Sequence, residues 1–549
     1  MTTYRMNSPS AHIDRFAQDN LPPVEDWPEF RFTLPELQYA PRLNAARVLA
    51  DDAIAEGYGA KPAVYQDSSH WTYEELVNQS SRIAHVLVKD EGLVPGNRVL
   101  LAAPNSMFLA AAWLAVLRAG GIAVSAMPLL RAKELGQMAE QARIDHALCD
   151  ARMLPEVVQA ARETGRLHRV RAWGNGDLEA GMARRASHFV PIDTAADDVA
   201  LVAFTSGTSG KPKATMHFHR DVLAMADVVG RHLLKTRSDD VYIGSPPLGF
   251  TFGLGALLVF PLRFRAAAAY VEQPTVEGLL GAVERYRATG LFTAPTMYRS
   301  LAHATHQFNL TSLRRCVSAG EPLSKDTSDA WHAATGIRLI DGIGSTEMIH
   351  IFIGASDADI RPGATGKPLP GYEAVVLDEQ GRPQNRGTGR LAVRGPTGCR
   401  YLNDPRQRNY VQSGWNVTGD YYRIDDTGYF WFEARGDDMI VSSGYNIAGP
   451  EVENALLTHP AVRECAVVAS PDAQRGQIVK AFIVVQPGQN ADLRLIDELQ
   501  KFIKQRIAPY KYPRAIDFVD ALPKTPTGKV QRHILRAAEL RKAEKPAPR

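Results

Sequence analysis

Leu201-Val-Ala-Phe-Thr-Ser-Gly-Thr-Ser-Gly-Lys-Pro-Lys213 is the stretch on which the reading of this chain turns. Its apolar start predicts a buried strand over Val199 to Phe204, after which the sequence breaks into a Gly/Ser/Thr loop. Gly207 and Gly210 let the backbone take positive φ and come close to a bulky anion. The hydroxyls of Thr205, Ser206, Thr208 and Ser209, with the loop N–H groups, are donors suited to phosphate oxygens. Lys211 and Lys213 add positive charge. The spacing is not that of a Walker loop, because GxxxxGK[ST] is absent. A generic Ser/Gly run would be a flexible surface turn; the Lys-Pro-Lys ending and the preceding strand argue for a phosphate loop instead.

Outward from this stretch, helical and strand-like segments alternate. From Tyr73, Leu76, Ile83, Val86 and Leu87 fall at helical spacing, Arg98 to Ala103 reads as a buried strand, Met107 to Arg118 as a helix, and Gly121 to Ser125 as a strand again. Leu291-Phe-Thr-Ala-Pro and Arg315-Cys-Val-Ser-Ala-Gly are strand-to-loop transitions. That alternation predicts an α/β domain with largely parallel sheets. Between 365 and 433 the pattern changes to short β runs (Glu373 to Leu377, Arg390 to Arg394, Tyr429 to Glu433) separated by turn residues, which predicts a small β subdomain. Beyond Arg435, strands at Glu464 to Ala469, Lys480 to Val485 and Ile516 to Val519, with a helix carrying Ile496, Leu499, Ile503 and Ile507, predict a compact α+β domain. Residues 1 to about 45 are polar and proline-dotted and are expected to wrap the first domain.

At 549 residues the chain exceeds what one hydrophobic core supports. Its net charge of +3 leaves no electrostatic footprint for nucleic acid or an anionic membrane. Cys149, Cys316, Cys399 and Cys465 lie far apart with no CxxC pair, so reduced, mostly buried thiols are expected rather than a disulfide framework or zinc site. The N-terminal stretch lacks an apolar signal core, and the apolar run from Phe108 to Val124 is broken by Arg118, Gly120 and Gly121. The expectation is a cytoplasmic protein. His217 and His219 form an HxH pair, read as helix-entry or packing residues rather than metal ligands.

With the phosphate loop in place, the sequence resembles the adenylate-forming superfamily over roughly residues 45 to 540, and further motifs appear in that family's order. Asp341-Gly-Ile-Gly-Ser-Thr-Glu347 resembles its second nucleotide motif. The resemblance implies that Thr346 contacts the α-phosphate and Glu347 holds Mg²⁺, a hard-cation task for which a carboxylate is suited. It places Asp341, Gly342 and Ile343 beside the nucleotide and Gly344 against the acid. Ile343 stands where the family often has Tyr, which removes an aromatic wall. Ser318-Ala-Gly-Glu-Pro322 resembles the segment beside the adenine, lined by Gly320, Glu321 and Pro322, with Ala319 toward the acid. Asp420, in Trp415-Asn-Val-Thr-Gly-Asp420, would accept from the ribose hydroxyls, and Arg435 would reach the same ribose or a phosphate. Arg435-Gly-Asp-Asp-Met-Ile-Val-Ser-Ser-Gly-Tyr-Asn-Ile447 resembles the hinge, with Asp437 as pivot and Gly444 giving the pantetheine arm its approach. Pro523-Lys-Thr-Pro-Thr-Gly-Lys529 matches the C-terminal catalytic loop, in which Lys529 would bridge the acid's carboxylate and the α-phosphate.

The resemblance implies an α/β protein. A large N-terminal domain of mixed α/β layers with a small β subdomain (1–434) is joined by a hinge (435–437) to a small mobile α+β C-terminal domain (438–549). It implies two half-reactions: ATP and the acid give an acyl-adenylate and pyrophosphate, and coenzyme A then takes the acyl group and releases AMP. The acid pocket falls at Pro247-Leu-Gly-Phe-Thr-Phe-Gly-Leu-Gly255. Phe250 and Phe252 suggest a short, flat, apolar site, with Thr251, Gly253 and His350 beside it. The expected acid is aromatic, with 2-aminobenzoate ahead of benzoate. Core packing is the competing role for the two phenylalanines. The expected partners are the acid, ATP and CoA, with no nucleic acid and no membrane; a homodimer is compatible. An adenylation enzyme loading a separate carrier protein, and a silent nucleotide-binding protein of this fold, remain alternatives, although Thr346, Glu347, Asp420, Arg435 and Lys529 are all present.

Overall fold

The computed structural model describes residues 8–205, 212–321, 323–436, 439–442, 445–472, 476–507, 511–525 and 528–544. The chain divides into two compact units, residues 1–374 with 392–417, and residues 375–391 with 418–549. The division falls within the strands Glu373–Leu377, Gly387–Arg394 and Trp415–Ile424.

The first unit is built on two sheets. One has six strands in the order Arg169–Trp173, His146–Asp150, Arg98–Ala102, Ile122–Ala126, Val199–Thr205, Lys213–Phe218, parallel except for the last pair. Its inner strands Arg98–Ala102 and Ile122–Ala126 are largely apolar and buried along their whole length because helices cover a doubly wound sheet. Thr72 shows how such a helix starts. Its hydroxyl accepts from the Glu75 N–H while the Glu75 carboxylate accepts from the Thr72 N–H, and the helix Tyr73–His85 begins there. The long apolar run near Phe108 resolves into the helix Met107–Arg118, a turn at Gly120 with φ +70°, and the strand Ile122–Ala126. That helix is apolar all round because nearly every residue from Leu109 to Arg118 is buried. Among the described residues no helix is long and apolar enough to cross a membrane.

The second sheet has nine strands. Its parallel centre runs Ile340–Gly344, Arg315–Ser318, Gly290–Thr293, Val241–Gly244, Ala267–Tyr270, Pro62–Gln66. Ser245, Thr293 and Ser318 therefore stand together at the carboxyl ends of parallel strands, the edge at which α/β folds place ligands. The N-terminal stretch lies on this unit, with the Ala11 N–H donating to the Asp198 carboxylate and a bridge pairing Arg42 with Ala195.

In the second unit a three-stranded sheet, Val462–Asp472, Gly476–Val485 and Ala515–Phe518, carries the helices Gly449–Leu457, Leu493–Arg506 and Arg532–Glu544. Leu495, Leu499 and Ile503 form the buried stripe of the middle helix, and Ile496 and Ile507 pack at its margin. The mixed α/β architecture, with a large N-terminal and a smaller C-terminal part, agrees with the sequence reading. All four cysteines are buried free thiols.

Candidate active site

Thr205 ends one strand and Lys213 begins the next, and the two residues are register partners in an antiparallel pair. The two strands thus pair as an antiparallel hairpin. Ser206, Gly207, Thr208, Ser209, Gly210 and Lys211 lie outside the described residues.

Next to this hairpin, the turn Ser345–Ile349 joins the antiparallel strands Ile340–Gly344 and Ile351–Gly354. Four consecutive residues of the turn are each held by a different side chain. The Ser345 hydroxyl lies 3.3 Å from the Tyr410 hydroxyl. His217 Nε2 donates to the Thr346 carbonyl at 2.8 Å. The Tyr401 hydroxyl donates to Glu347 Oε1 at 2.5 Å. The Thr397 hydroxyl donates to the Met348 carbonyl at 2.8 Å. Thr346 itself is half-buried, and Glu347 is 8% exposed.

Lys213 Nζ sits 3.2 Å from the Tyr401 hydroxyl and 3.9 Å from Glu347 Oε1, above the Tyr401 ring. Burial and the adjacent Glu347 carboxylate push the Tyr401 phenol far up, so it stays a donor. Burial pulls His217 down to about 4, against the opposing pull of Asp221, so its ring is neutral. Its other nitrogen faces Asp221, which is itself paired with the buried Arg400 guanidinium.

The strand leading into the turn explains its glycines. A Cβ on Gly342 would meet Ile351 Cδ1 at 2.7 Å, and one on Gly344 would meet the His350 carbonyl carbon at 2.7 Å. Both positions are bare so that the hairpin can close. Asp341 is half-buried, and burial raises its carboxyl to about 7. Ile343 is half-buried between the two glycines. On the neighbouring strand Ser318 and Ala319 are buried, and Gly320 turns with φ +91° before the half-buried Glu321. Pro322 lies outside the described residues.

The predicted acid pocket is an aromatic cluster. Phe252 lies 6.3 Å from Phe292 and 5.7 Å from His350, and Phe260 packs on the other side of His350 at 4.7 Å between centroids. Phe250 is half-buried at the start of the helical turn Thr251–Leu254, and Thr251 is buried. A Cβ on Gly253 would meet Pro247 C at 2.6 Å and Pro246 O at 2.7 Å, so this turn rests directly on the backbone before it. His350 Nε2 lies 3.3 Å from the Phe252 carbonyl, to which it donates. Its Nδ1 is buried with no hydrogen-bond partner among the described residues. Burial takes this histidine down to about 3, leaving Nδ1 an acceptor.

In the second unit Asp420 and Arg435 are register partners on adjacent antiparallel strands, with Arg435 Nη1 3.2 Å from Asp420 Oδ1. Asp420 is buried and Arg435 exposed. Lys529 is an exposed residue. Its carbonyl accepts from the Thr525 N–H at 2.8 Å and its N–H donates to the Thr525 hydroxyl at 3.1 Å. Asp437 and Gly444 lie outside the described residues.

The sequence profile of the AMP-binding enzymes matches residues 52–401, and that of the AMP-binding enzyme C-terminal domain matches residues 451–529. The chain belongs to the AMP-binding enzymes. Among its relatives is the benzoate–CoA ligase of Thauera aromatica, 35% identical over 516 residues, covering 92% of this chain and 98% of that protein. Two solved structures are similar throughout. The anthranilate CoA ligase AuaEII in complex with anthranoyl-AMP has a TM-score of 0.86 and 32% identity, covering 93% of this chain and all (100%) of that one. A benzoate CoA ligase from Burkholderia xenovorans LB400 has a TM-score of 0.81 and 31% identity, covering 90% and 100%. This AMP-binding enzyme is therefore an acyl-CoA ligase by class.

Reading the sequence of this AMP-binding enzyme did not single out Tyr401, Tyr410, Thr397 or Asp221. They lie in no motif, and only the fold carries residues 397–410 over to the 345–349 turn. The packing reading of His217 was too modest, since this ring also fixes the Thr346 carbonyl.

Proposed function

We propose that this enzyme is an ATP-dependent aryl-CoA ligase that activates 2-aminobenzoate or benzoate as the acyl-adenylate and transfers the acyl group to CoA. One observation carries the reading: Glu347 stands on the 345–349 turn and His350 is the residue that follows it. A carboxylate suited to Mg²⁺ and the aromatic cluster read as the acid site thus lie three residues apart in sequence. The named activities of the benzoate and anthranilate ligase relatives support it.

In the first half-reaction a carboxylate oxygen of the acid attacks the α-phosphorus, and the bond to pyrophosphate breaks. Positioning and charge stabilisation are the enzyme's work in such a transfer. Thr346 donates to the α-phosphate, and Lys529 gathers the charge shared by carboxylate and phosphate. The 205–213 loop holds the outer phosphates, and Asp420 with Arg435 holds the ribose. Glu347 fits Mg²⁺, because no described residue donates to its second carboxylate oxygen. The ion, when bound, neutralises phosphate charge. In the second half-reaction rotation about Asp437 withdraws Lys529 and brings the pantetheine arm past Gly444. The CoA thiolate attacks the acyl carbon, and the bond to AMP breaks.

His350 orders the acids. Its buried Nδ1 acceptor is satisfied by an amino group on the ring, which 2-aminobenzoate has and benzoate lacks. A panel of ring-substituted benzoates, assayed for CoA-dependent AMP release, tests this. 2-Aminobenzoate is expected to give the highest kcat/KM, with benzoate next. Turnover of aliphatic acids with none on either aromatic acid would overturn the assignment.

A further inference from the structure

We propose that Tyr401 is a positioning residue for the metal-bound nucleotide, holding the Glu347 carboxylate in the orientation that presents its free oxygen to Mg²⁺. This rests on the reading of Glu347 as the metal ligand given above. Glutamate has three side-chain torsions, and an unrestrained carboxylate samples many directions. Here Oε1 is fixed by the Tyr401 hydroxyl at 2.5 Å, while no hydrogen bond from a described residue reaches Oε2. One oxygen is anchored and the other is left for a ligand.

Tyr401 is itself fully buried and over-determined. Its N–H donates to Gln407 Oε1 at 2.9 Å, its backbone bridges Thr215, and its ring meets Tyr410 edge to face at 5.9 Å. Lys213 approaches the same hydroxyl, so the carboxylate is not left as an isolated buried charge before the metal arrives. His217 and Thr397 fix the backbone on either side of Glu347. Among the described residues Tyr401 alone hydrogen-bonds the carboxylate, with Lys213 a longer ion pair at 3.9 Å, so its removal is expected to change metal use without disturbing the turn.

The test is Tyr401→Phe, which removes one hydroxyl and keeps the ring packing. Binding of α,β-methylene-ATP is measured by calorimetry at saturating Mg²⁺ and in excess chelator, with thermal unfolding as the check on folding. A hydrogen bond to a charged group supports an expected loss of about tenfold in the Mg²⁺-dependent part of the affinity, with metal-free binding unchanged. Glu347→Asp, which pulls the carboxylate away from an intact Tyr401, is expected to show the same selective loss and serves if the first variant does not fold. Mg²⁺ dependence like that of the parent, or equal loss with and without metal, overturns the role of Tyr401. A parent protein whose nucleotide affinity ignores Mg²⁺ overturns the assignment of Glu347 and, with it, this proposal.

Discussion

Replacing Gly255 by alanine drives one methyl group into the ring proposed to read the acid. The new Cβ would stand 2.5 Å from His350 Cδ2, 2.7 Å from its Nε2 and 2.8 Å from Phe260 Cζ. Carbon contacts relax to about 3.5 Å or more, so the imidazole has to retreat by roughly 1 Å. It cannot do so freely, because Phe260 closes one side at 4.7 Å and Nε2 is tied to the Phe252 carbonyl. Overpacking of this kind costs about 1–3 kcal/mol, and 1.4 kcal/mol is about tenfold in affinity. Steady-state kinetics of Gly255→Ala should show the KM for 2-aminobenzoate raised about tenfold, with the KM for ATP within about twofold of the parent. Adding His350→Ala removes the two imidazole clashes and leaves only that with Phe260, so the two substitutions together should destabilise by less than their sum. An unchanged KM for the acid in a variant with a lowered Tm would refute the reasoning, since the strain would be present while the acid ignored it.

Lys529→Ala should reduce acyl-adenylate formation by at least about 100-fold while sparing thioester formation from supplied acyl-adenylate, read by quenched-flow on each half; equal loss in both would remove the role given to Lys529. His217, His219 and His350 carry pKa values depressed to about 4, 3 and 3 by burial, so the unfolded chain takes up protons that the fold refuses. Stability is therefore full above about pH 6.5 and falls as pH drops toward 4, by about 1.4 kcal/mol per pH unit for each histidine. Urea unfolding across that range should show the slope, and His217→Gln, whose amide can still donate to Thr346, should lower it by one proton.

The sequence carries much of this architecture because the relevant signals are local. The apolar run Val199–Phe204 and the stripe Leu495, Leu499, Ile503 each announce their element through periodicity and burial. The motifs proposed for the nucleotide stand out for a similar reason: the proposed chemistry needs Gly, Thr and Glu at fixed spacing on one strand and the turn after it. What holds that turn was not readable. Tyr401 is 54 residues from Glu347 and His217 is 129 from Thr346, and nothing in their own neighbourhoods points across those gaps. The glycines at 342 and 344 were read as room for ligand, whereas the fold shows a second demand, since Ile351 and the His350 backbone occupy the space a Cβ would need.

The mixed anhydride is the intermediate on which the proposed chemistry depends. Incubating the enzyme with 2-aminobenzoate, ATP and Mg²⁺ without CoA, then analysing the quenched mixture by mass spectrometry, is expected to show the aroyl-AMP at about one per active site with equal pyrophosphate. Added CoA should convert it to thioester and AMP. ATP consumed to ADP and phosphate, or thioester formed with no adenylate before it, would contradict the account.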